Sequence, residues 1–205
     1  LPNGVSLIDS IDVLPKENSI VTIGRLGTPE KNSPLLLKAI EKLPESLVRQ
    51  WKFLLIGPST QEFIDEVHQF KVSHPNIADS IIMVGSVTDR NELYIYGRKA
   101  KIICMTSRSE STCISTLEAM YFGAYPIITN YSDFAVDTTN MGTYGIIVEN
   151  GNADELAQQL SKSMKNDDLL INCNESQIYA RSTFDYHELA HKLDLVLKRY
   201  MRTNS

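Results

Sequence analysis

Apolar residues recur in two rhythms along this chain, and the alternation between them predicts its architecture. Short, nearly unbroken apolar runs occur at Ser19–Gly24, Trp51–Ile56, Ser80–Val84, Lys101–Thr106, Tyr125–Thr129 and Tyr144–Val148. Their content of Ile, Val and aromatic residues suits strands. Between them the spacing turns helical. Ser33–Leu43 places Leu36, Leu37 and Ile40 on one face, and Gln61–Val72 does the same with Phe63, Ile64, Val67 and Phe70. Asp89–Ala100 and Thr112–Phe122 continue the pattern, and helices at Ala153–Met164, about Leu169–Ala180 and Asp185–Tyr200 close the chain. In the last of these, the stripe Leu189, Leu193, Val196, Leu197 reads as core packing. Apolar strands without polar alternation belong in a parallel sheet covered on both faces. Six strand–helix units therefore predict an α/β, doubly wound sheet in the order 3-2-1-4-5-6, with its site beyond the carboxyl ends of the strands. Arg25, Gly57, Gly85 and Ser107 all follow strand ends and are expected to share that edge.

The 205 residues suffice for one sizeable core, and 42% hydrophobic with 22% charged residues is an ordinary globular balance. A net charge of −5 argues against a general nucleic-acid binder. Any phosphate site must then be built locally. No apolar run approaches the roughly 18 residues that a membrane-crossing helix requires, and no signal peptide is evident. Three cysteines without a C-x-x-C pair read as reduced thiols, hence a cytoplasmic setting. The opening Leu-Pro-Asn-Gly-Val reads as a turn, which hints that sequence precedes it.

Residues 107–130 carry the most chemistry. Glu110 and Glu118 stand eight positions apart, one in the loop after a strand and one inside the following helix. The backbone N–H groups of Ser111, Thr112, Cys113 and Ile114 fall between them, where a helix start attracts anions. A ligand with a polyol at each end and a phosphate between them fits that layout. The bland reading makes Glu110 a dipole-complementing acid and Glu118 a surface glutamate. Against it, Glu118 lies among Leu117, Ala119, Met120 and Gly123, where a carboxylate needs a partner. At the first strand tip, Gly24-Arg25-Leu26-Gly27-Thr28-Pro29-Glu30-Lys31 offers two cations able to reach one anion, or two solvated surface charges. Neither G-x-G-x-x-G nor G-x-x-x-x-G-K-[ST] occurs, against nicotinamide, flavin and P-loop chemistry. His187-Glu188-Leu189-Ala190-His191 matches H-E-x-x-H, but no third ligand follows it, so it reads as a helix surface. Cys113, beside a helix start, is placed where a thiol's pKa can be depressed.

Taken together and in order, these elements resemble the C-terminal, donor-binding domain of GT-B glycosyltransferases, in particular the retaining family 4. The residues that carry the likeness are Pro2-Asn3-Gly4-Val5, Gly24-Arg25 with Lys31, Val84-Gly85-Ser86-Val87, and Ser107-Arg108-Ser109-Glu110…Leu117-Glu118-Ala119-Met120…Gly123…Pro126-Ile127-Ile128. The resemblance implies a Rossmann-like half of a GT-B fold over residues 1–205, with an acceptor-binding N-terminal domain outside this chain. It also implies sugar transfer from a UDP-, GDP- or ADP-sugar to a glycan or lipid-linked acceptor, with no metal cofactor. The implied setting is the cytoplasm, either free or with the full protein peripheral at the inner membrane face. By the same resemblance Arg25 and Lys31 hold the diphosphate and stabilise the leaving group, and Glu110 orients sugar hydroxyls. Ser111, Thr112, Cys113 and Ile114 give N–H contacts, Glu118 binds the ribose, and Val87 with Asp89 meets the base. The chain departs from the family at Ser111-Thr112-Cys113, where Gly-Phe-Gly is usual. A GT-B-like epimerase, a phosphorylase (no pyridoxal lysine motif is evident) and a non-catalytic nucleotide-binding module are the competing readings.

Overall fold

The computed structural model describes Gly4, Val5 and residues 14–203. Pro2 and Asn3, half of the first resemblance element, lie outside the described residues. Six strands form one parallel sheet: β1 (Glu17–Ile23), β2 (Lys52–Ile56), β3 (Ile81–Gly85), β4 (Ala100–Met105), β5 (Tyr125–Thr129) and β6 (Ile146–Val148). Their order is β3-β2-β1-β4-β5-β6, as the sequence pattern predicts. The chain winds outward from β1 in one direction and from β4 in the other. The switch point therefore falls between these two strands, which pair directly through Ile20↔Ile102 and Val21↔Ile103.

The strand residues sort by parity into two apolar layers, because successive side chains on a strand point to opposite faces. Ile20, Phe53, Leu55, Ile102, Cys104 and Ile127 pack with the helices α1 (Pro34–Glu41), α3 (Gln61–Ser73) and α7 (Ala153–Met164). Val21, Ile56, Ile103, Met105 and Ile128 pack on the other face, against α4 (Arg90–Lys99), α5 (Ile114–Tyr121) and α6 (Asp133–Thr139). A four-residue α2 (Glu45–Val48) leads into β2, and α8 (Leu169–Phe184) and α9 (Tyr186–Thr203) follow α7. Gly4 and Val5 are buried at the α8–α9 junction, where the Val5 N–H donates to the Phe184 carbonyl at 2.8 Å.

Three departures from the sequence pattern have physical reasons. First, α5 begins at Ile114 rather than Thr112, because Cys113 is the N-cap, with non-helical φ −72° and ψ 80°. Ser111 and Thr112 therefore belong to the loop. Second, α6 was not foreseen in a stretch as β-branched as Asp133-Phe-Ala-Val-Asp-Thr-Thr139. It is stabilised by burying Ala135, Thr138 and Thr139, while the two threonine hydroxyls donate back to the Phe134 and Ala135 carbonyls. Third, the α9 stripe is not core packing. Leu189 is buried, but Leu193, Val196 and Leu197 are 45%, 60% and 51% exposed. Helical periodicity marks a face and does not say what covers it.

Lys16 fixes the opposite edge of the sheet. Its Nζ donates to the carbonyls of Gly97 at 3.2 Å, Ala100 at 2.7 Å and Phe122 at 2.9 Å, closing the C-terminal ends of α4 and α5. Burial lowers its pKa to about 8, so at neutral pH it keeps the three protons that three carbonyls use. The α5 end is held further by Gln177 and Arg181 of α8, which both donate to the Tyr121 carbonyl. Substituting Lys16→Met strands these carbonyls, and we expect a loss of about 1–3 kcal/mol in urea unfolding. A stability equal to wild type would show that water satisfies them instead.

Candidate functional site

The loops leaving β1 and β4 meet above the switch point and are stitched to each other. The Arg108 N–H donates to the Glu30 carbonyl at 2.7 Å, and the Thr106 hydroxyl to the Lys31 carbonyl at 3.1 Å. From below, the Thr129 hydroxyl at the tip of β5 donates to the Ser107 carbonyl. The Ser115 hydroxyl donates to the Ile23 carbonyl at 3.3 Å and ties the start of α5 to the tip of β1. The tips of β1 and β2 are in backbone contact. Gly57, with φ +129°, lies so close to Gly24 that a Cβ there would sit 2.0 Å from the Gly24 carbonyl oxygen.

This scaffold brings Lys31 and Glu110 together across the switch point. They form an ion pair whose side chains are 15% and 14% exposed, and the Ser107 hydroxyl donates to the same Glu110 oxygen at 2.7 Å. The Lys31 stem crosses back over Gly24, with its Cε 3.3 Å from where a Gly24 Cβ would be. Arg25 turns elsewhere. It pairs with Glu30 at 2.8 Å and stays 68% exposed. The Glu30 carboxyl is held below its ordinary range, first by its own backbone N–H and then by Thr28 and Arg25. The two cations thus rest on different carboxylates in this structure.

Glu118 lies in α5, with its side chain 11% exposed, and the partner its surroundings demand is Arg90. Arg90 Nη2 donates to Glu118 Oε1, and its Nε donates to the Tyr94 hydroxyl at 3.0 Å. The Tyr94 hydroxyl in turn donates to the same Oε1 at 3.5 Å. Burial raises the Glu118 pKa, while Arg90 and then Tyr94 oppose the shift. Neither Arg90 nor Tyr94 was expected from the sequence. The available signal was the carboxylate in a packed stretch, which requires a cation on a neighbouring element. α4 and α5 are neighbours on one face of the sheet.

The remaining expected residues are placed as follows. Ile114 is the first helical residue of α5, so its N–H has no carbonyl one turn before it. Ser111 is exposed and Thr112 half-buried in the loop. Cys113 is buried, and its thiol pKa is raised rather than depressed, by desolvation first and then by Glu110. Its sulfur accepts from the Thr116 hydroxyl at 3.1 Å. The bland role of a small packed residue describes it. Val87 is half-buried behind the Gly85 turn, and Asp89 caps α4 by accepting from the Asn91 N–H at 2.8 Å. Among the described residues, no group of three or more His, Cys, Asp or Glu side chains is placed to hold a metal ion. His187, Glu188 and His191 are exposed on α9.

Known proteins resemble this chain in sequence and in fold. A 1,4-linking N-acetyl-galactosaminyltransferase of Campylobacter jejuni, whose name specifies a GalNAc-GalNAc-diNAcBac-PP-undecaprenol acceptor, is 31% identical over 142 residues. That match covers 69% of this chain and 36% of the relative. The fold superposes on Anabaena HepE in complex with UDP and glucose with a TM-score of 0.72 at 19% identity, over 90% of this chain and 49% of HepE. It also superposes on the C-terminal domain of the Francisella tularensis glycosyl transferase LpcC, with a TM-score of 0.66 at 20% identity, over 84% of this chain and 89% of that domain. The chain thus spans about half or less of the first two. No helix among the described residues is long and apolar enough to cross a membrane. The family described as Glycosyl transferases group 1 matches residues 8–182, a span holding the whole sheet, the Lys31–Glu110 pair and the Arg90–Glu118 pair, and the chain belongs to that family.

Proposed function

We propose that this chain is the donor-binding half of a glycosyltransferase that takes a nucleoside-diphosphate sugar. The observation that carries the reading is the Lys31–Glu110 pair at the switch point, where doubly wound sheets bind ligands. Lys31, largely buried and paired with Glu110, can turn to a diphosphate without leaving its pocket. Arg25, exposed on the same loop between β1 and α1, can swing from Glu30 and close over the same group. In glycosyl transfer the anomeric bond breaks toward the diphosphate, which departs with its electron pair and negative charge. Lys31, Arg25 and the first N–H groups of α5 supply the compensating charge, so this reading needs no metal ion. Glu110, released from Lys31 by the incoming phosphate, orients sugar hydroxyls, and Glu118 accepts from the ribose. Backbone near Val87 borders the base. Asp89 is committed to its cap in the free protein, and its contact with the base requires a rearrangement.

Family 4 membership and retention of configuration belong to the same proposal, supported by the order and spacing of the motifs. So do a cytoplasmic setting and a glycan or lipid-linked acceptor, the latter favoured by the acceptor in the Campylobacter relative's name. The acceptor would be held by the part of the relatives' length that this chain does not span, and the chain alone would show little turnover.

Titration calorimetry of the 205-residue chain with UDP, GDP and ADP tests the donor site. One of the three is expected to bind. Arg25→Ala is expected to weaken it about tenfold, the worth of one charge-assisted phosphate contact. If none of the three binds, the donor-site proposal fails.

A further inference from the structure

Glu118 reaches the ribose in this reading, yet it is buried, and burial pushes its pKa up. Both hydrogen bonds that reach its carboxylate from the described residues end on one oxygen, Oε1, from Arg90 and Tyr94. Oε2 accepts none of the bonds between described residues. The three side chains form a closed ring, since Arg90 Nε also donates to the Tyr94 hydroxyl, one helical turn along α4. Arg90 is an unexpected residue for its position. It is the first residue of α4, where the helix dipole disfavours a cation, and its side chain is 68% exposed. Helix stability does not ask for it, so its electrostatic gain comes from Glu118.

Resting on the donor-site reading above, we infer that Arg90 and Tyr94 are positioning residues. They hold Glu118 by Oε1 and leave Oε2 as the acceptor for the ribose diol of the nucleotide. A carboxylate gripped at one oxygen has its plane fixed. The second oxygen can then accept from both hydroxyls without reordering, which favours ribonucleotides over analogues lacking them. Arg90 also opposes the rise that burial gives the acid's pKa and so favours the ionised form, which an acceptor for two hydroxyl protons must be. Arg90 and Tyr94 of α4 are the charged and titratable groups that act on Glu118. Among the described residues none from β4, β5 or α8 does.

The test compares wild type, Arg90→Gln, Arg90→Lys, Tyr94→Phe and Glu118→Gln by calorimetry. The ligands are the nucleoside diphosphate that binds, its dideoxyribose analogue and inorganic pyrophosphate. Arg90→Gln leaves the largely buried Glu118 without its cation, so circular dichroism and urea unfolding first establish that each variant is folded under the titration conditions. Arg90→Gln is expected to weaken the ribonucleotide about tenfold while leaving pyrophosphate and the dideoxy analogue unchanged. The pH profile separates positioning from mere structure. In wild type, ribonucleotide affinity falls as acid protonates Glu118. Losing Arg90 removes the group that opposes the burial shift, so in Arg90→Gln the fall moves to higher pH. Arg90→Lys should bring it back, and Glu118→Gln should abolish it. Equal weakening of all three ligands, or an acid limb that does not move, overturns this inference while the donor site stands. If wild type binds neither pyrophosphate nor any nucleoside diphosphate, both readings fall together.

Discussion

Replacing Lys31 with methionine should reduce nucleoside-diphosphate affinity about 100-fold, more than the exposed Arg25 does when removed. The difference follows from burial. Lys31 is 15% exposed and its charge is little screened, whereas Arg25 is 68% exposed and shares its charge with water. The same substitution leaves Glu110 largely buried without its cation, which should destabilise the fold by about 2–4 kcal/mol. That second effect could imitate the first, so the double variant Lys31→Met/Glu110→Gln is informative. It relieves the orphaned carboxylate and should recover most of the stability, while nucleotide binding stays lost. If Lys31→Met binds the nucleotide as wild type does, the switch-point pair is a structural brace and the donor site lies elsewhere.

Gly57→Ala should be among the most damaging single substitutions in the chain. The added Cβ would sit 2.0 Å from the Gly24 carbonyl oxygen and 2.9 Å from its carbon, both backbone atoms that cannot rotate away. The φ of +129° is a further strain for a residue with a Cβ. Relief requires parting the tips of β1 and β2, where the Gly24 N–H donates to the Ile56 carbonyl at 3.0 Å. We expect a loss of at least about 3 kcal/mol, or a fall in Tm of roughly 6–12 °C for a chain of this size. Gly151→Ala is the control. Its φ is +84°, but a Cβ there meets nothing within 4 Å, so it isolates backbone strain from collision. A Gly57→Ala protein no less stable than Gly151→Ala would mean that the two tips are not in contact. Because Gly24 carries the path of Lys31, the surviving folded fraction should also bind nucleotide more weakly.

The sheet was legible because its signal is local and redundant. Each strand is an uninterrupted apolar run, and the helix between two parallel strands must bury an apolar face, so pattern and topology constrain each other. The elements that escaped notice lack that redundancy. α6 is helical despite Asp133-Phe-Ala-Val-Asp-Thr-Thr139 because β5 and β6 give it a surface to cover, and no intrinsic preference of its residues announces this. The start of α5 shifted from Thr112 to Ile114 because the loop before it is tethered at Glu110 to Lys31 and Ser107, contacts from 79 and 3 residues away. On α9 the sequence showed an apolar stripe, and the structure leaves all but Leu189 of the four stripe residues largely open.

The site divides along the same line. By itself the sequence determined which residue types stand at the strand tips: Arg25 and Lys31 after β1, Glu110 and Glu118 around the start of α5. Spacing along one strand–loop–helix unit is set by chain geometry, so it can be read directly. The tertiary structure alone decided who partners whom. It set Lys31 against Glu110, turned Arg25 to Glu30, buried Cys113 so that its thiol is less acidic, and brought Arg90 and Tyr94 from α4 onto one oxygen of Glu118. Such pairings depend on which helices lie side by side over the sheet. They also depend on how far water is excluded between them, and neither is written in the order of residues along the chain.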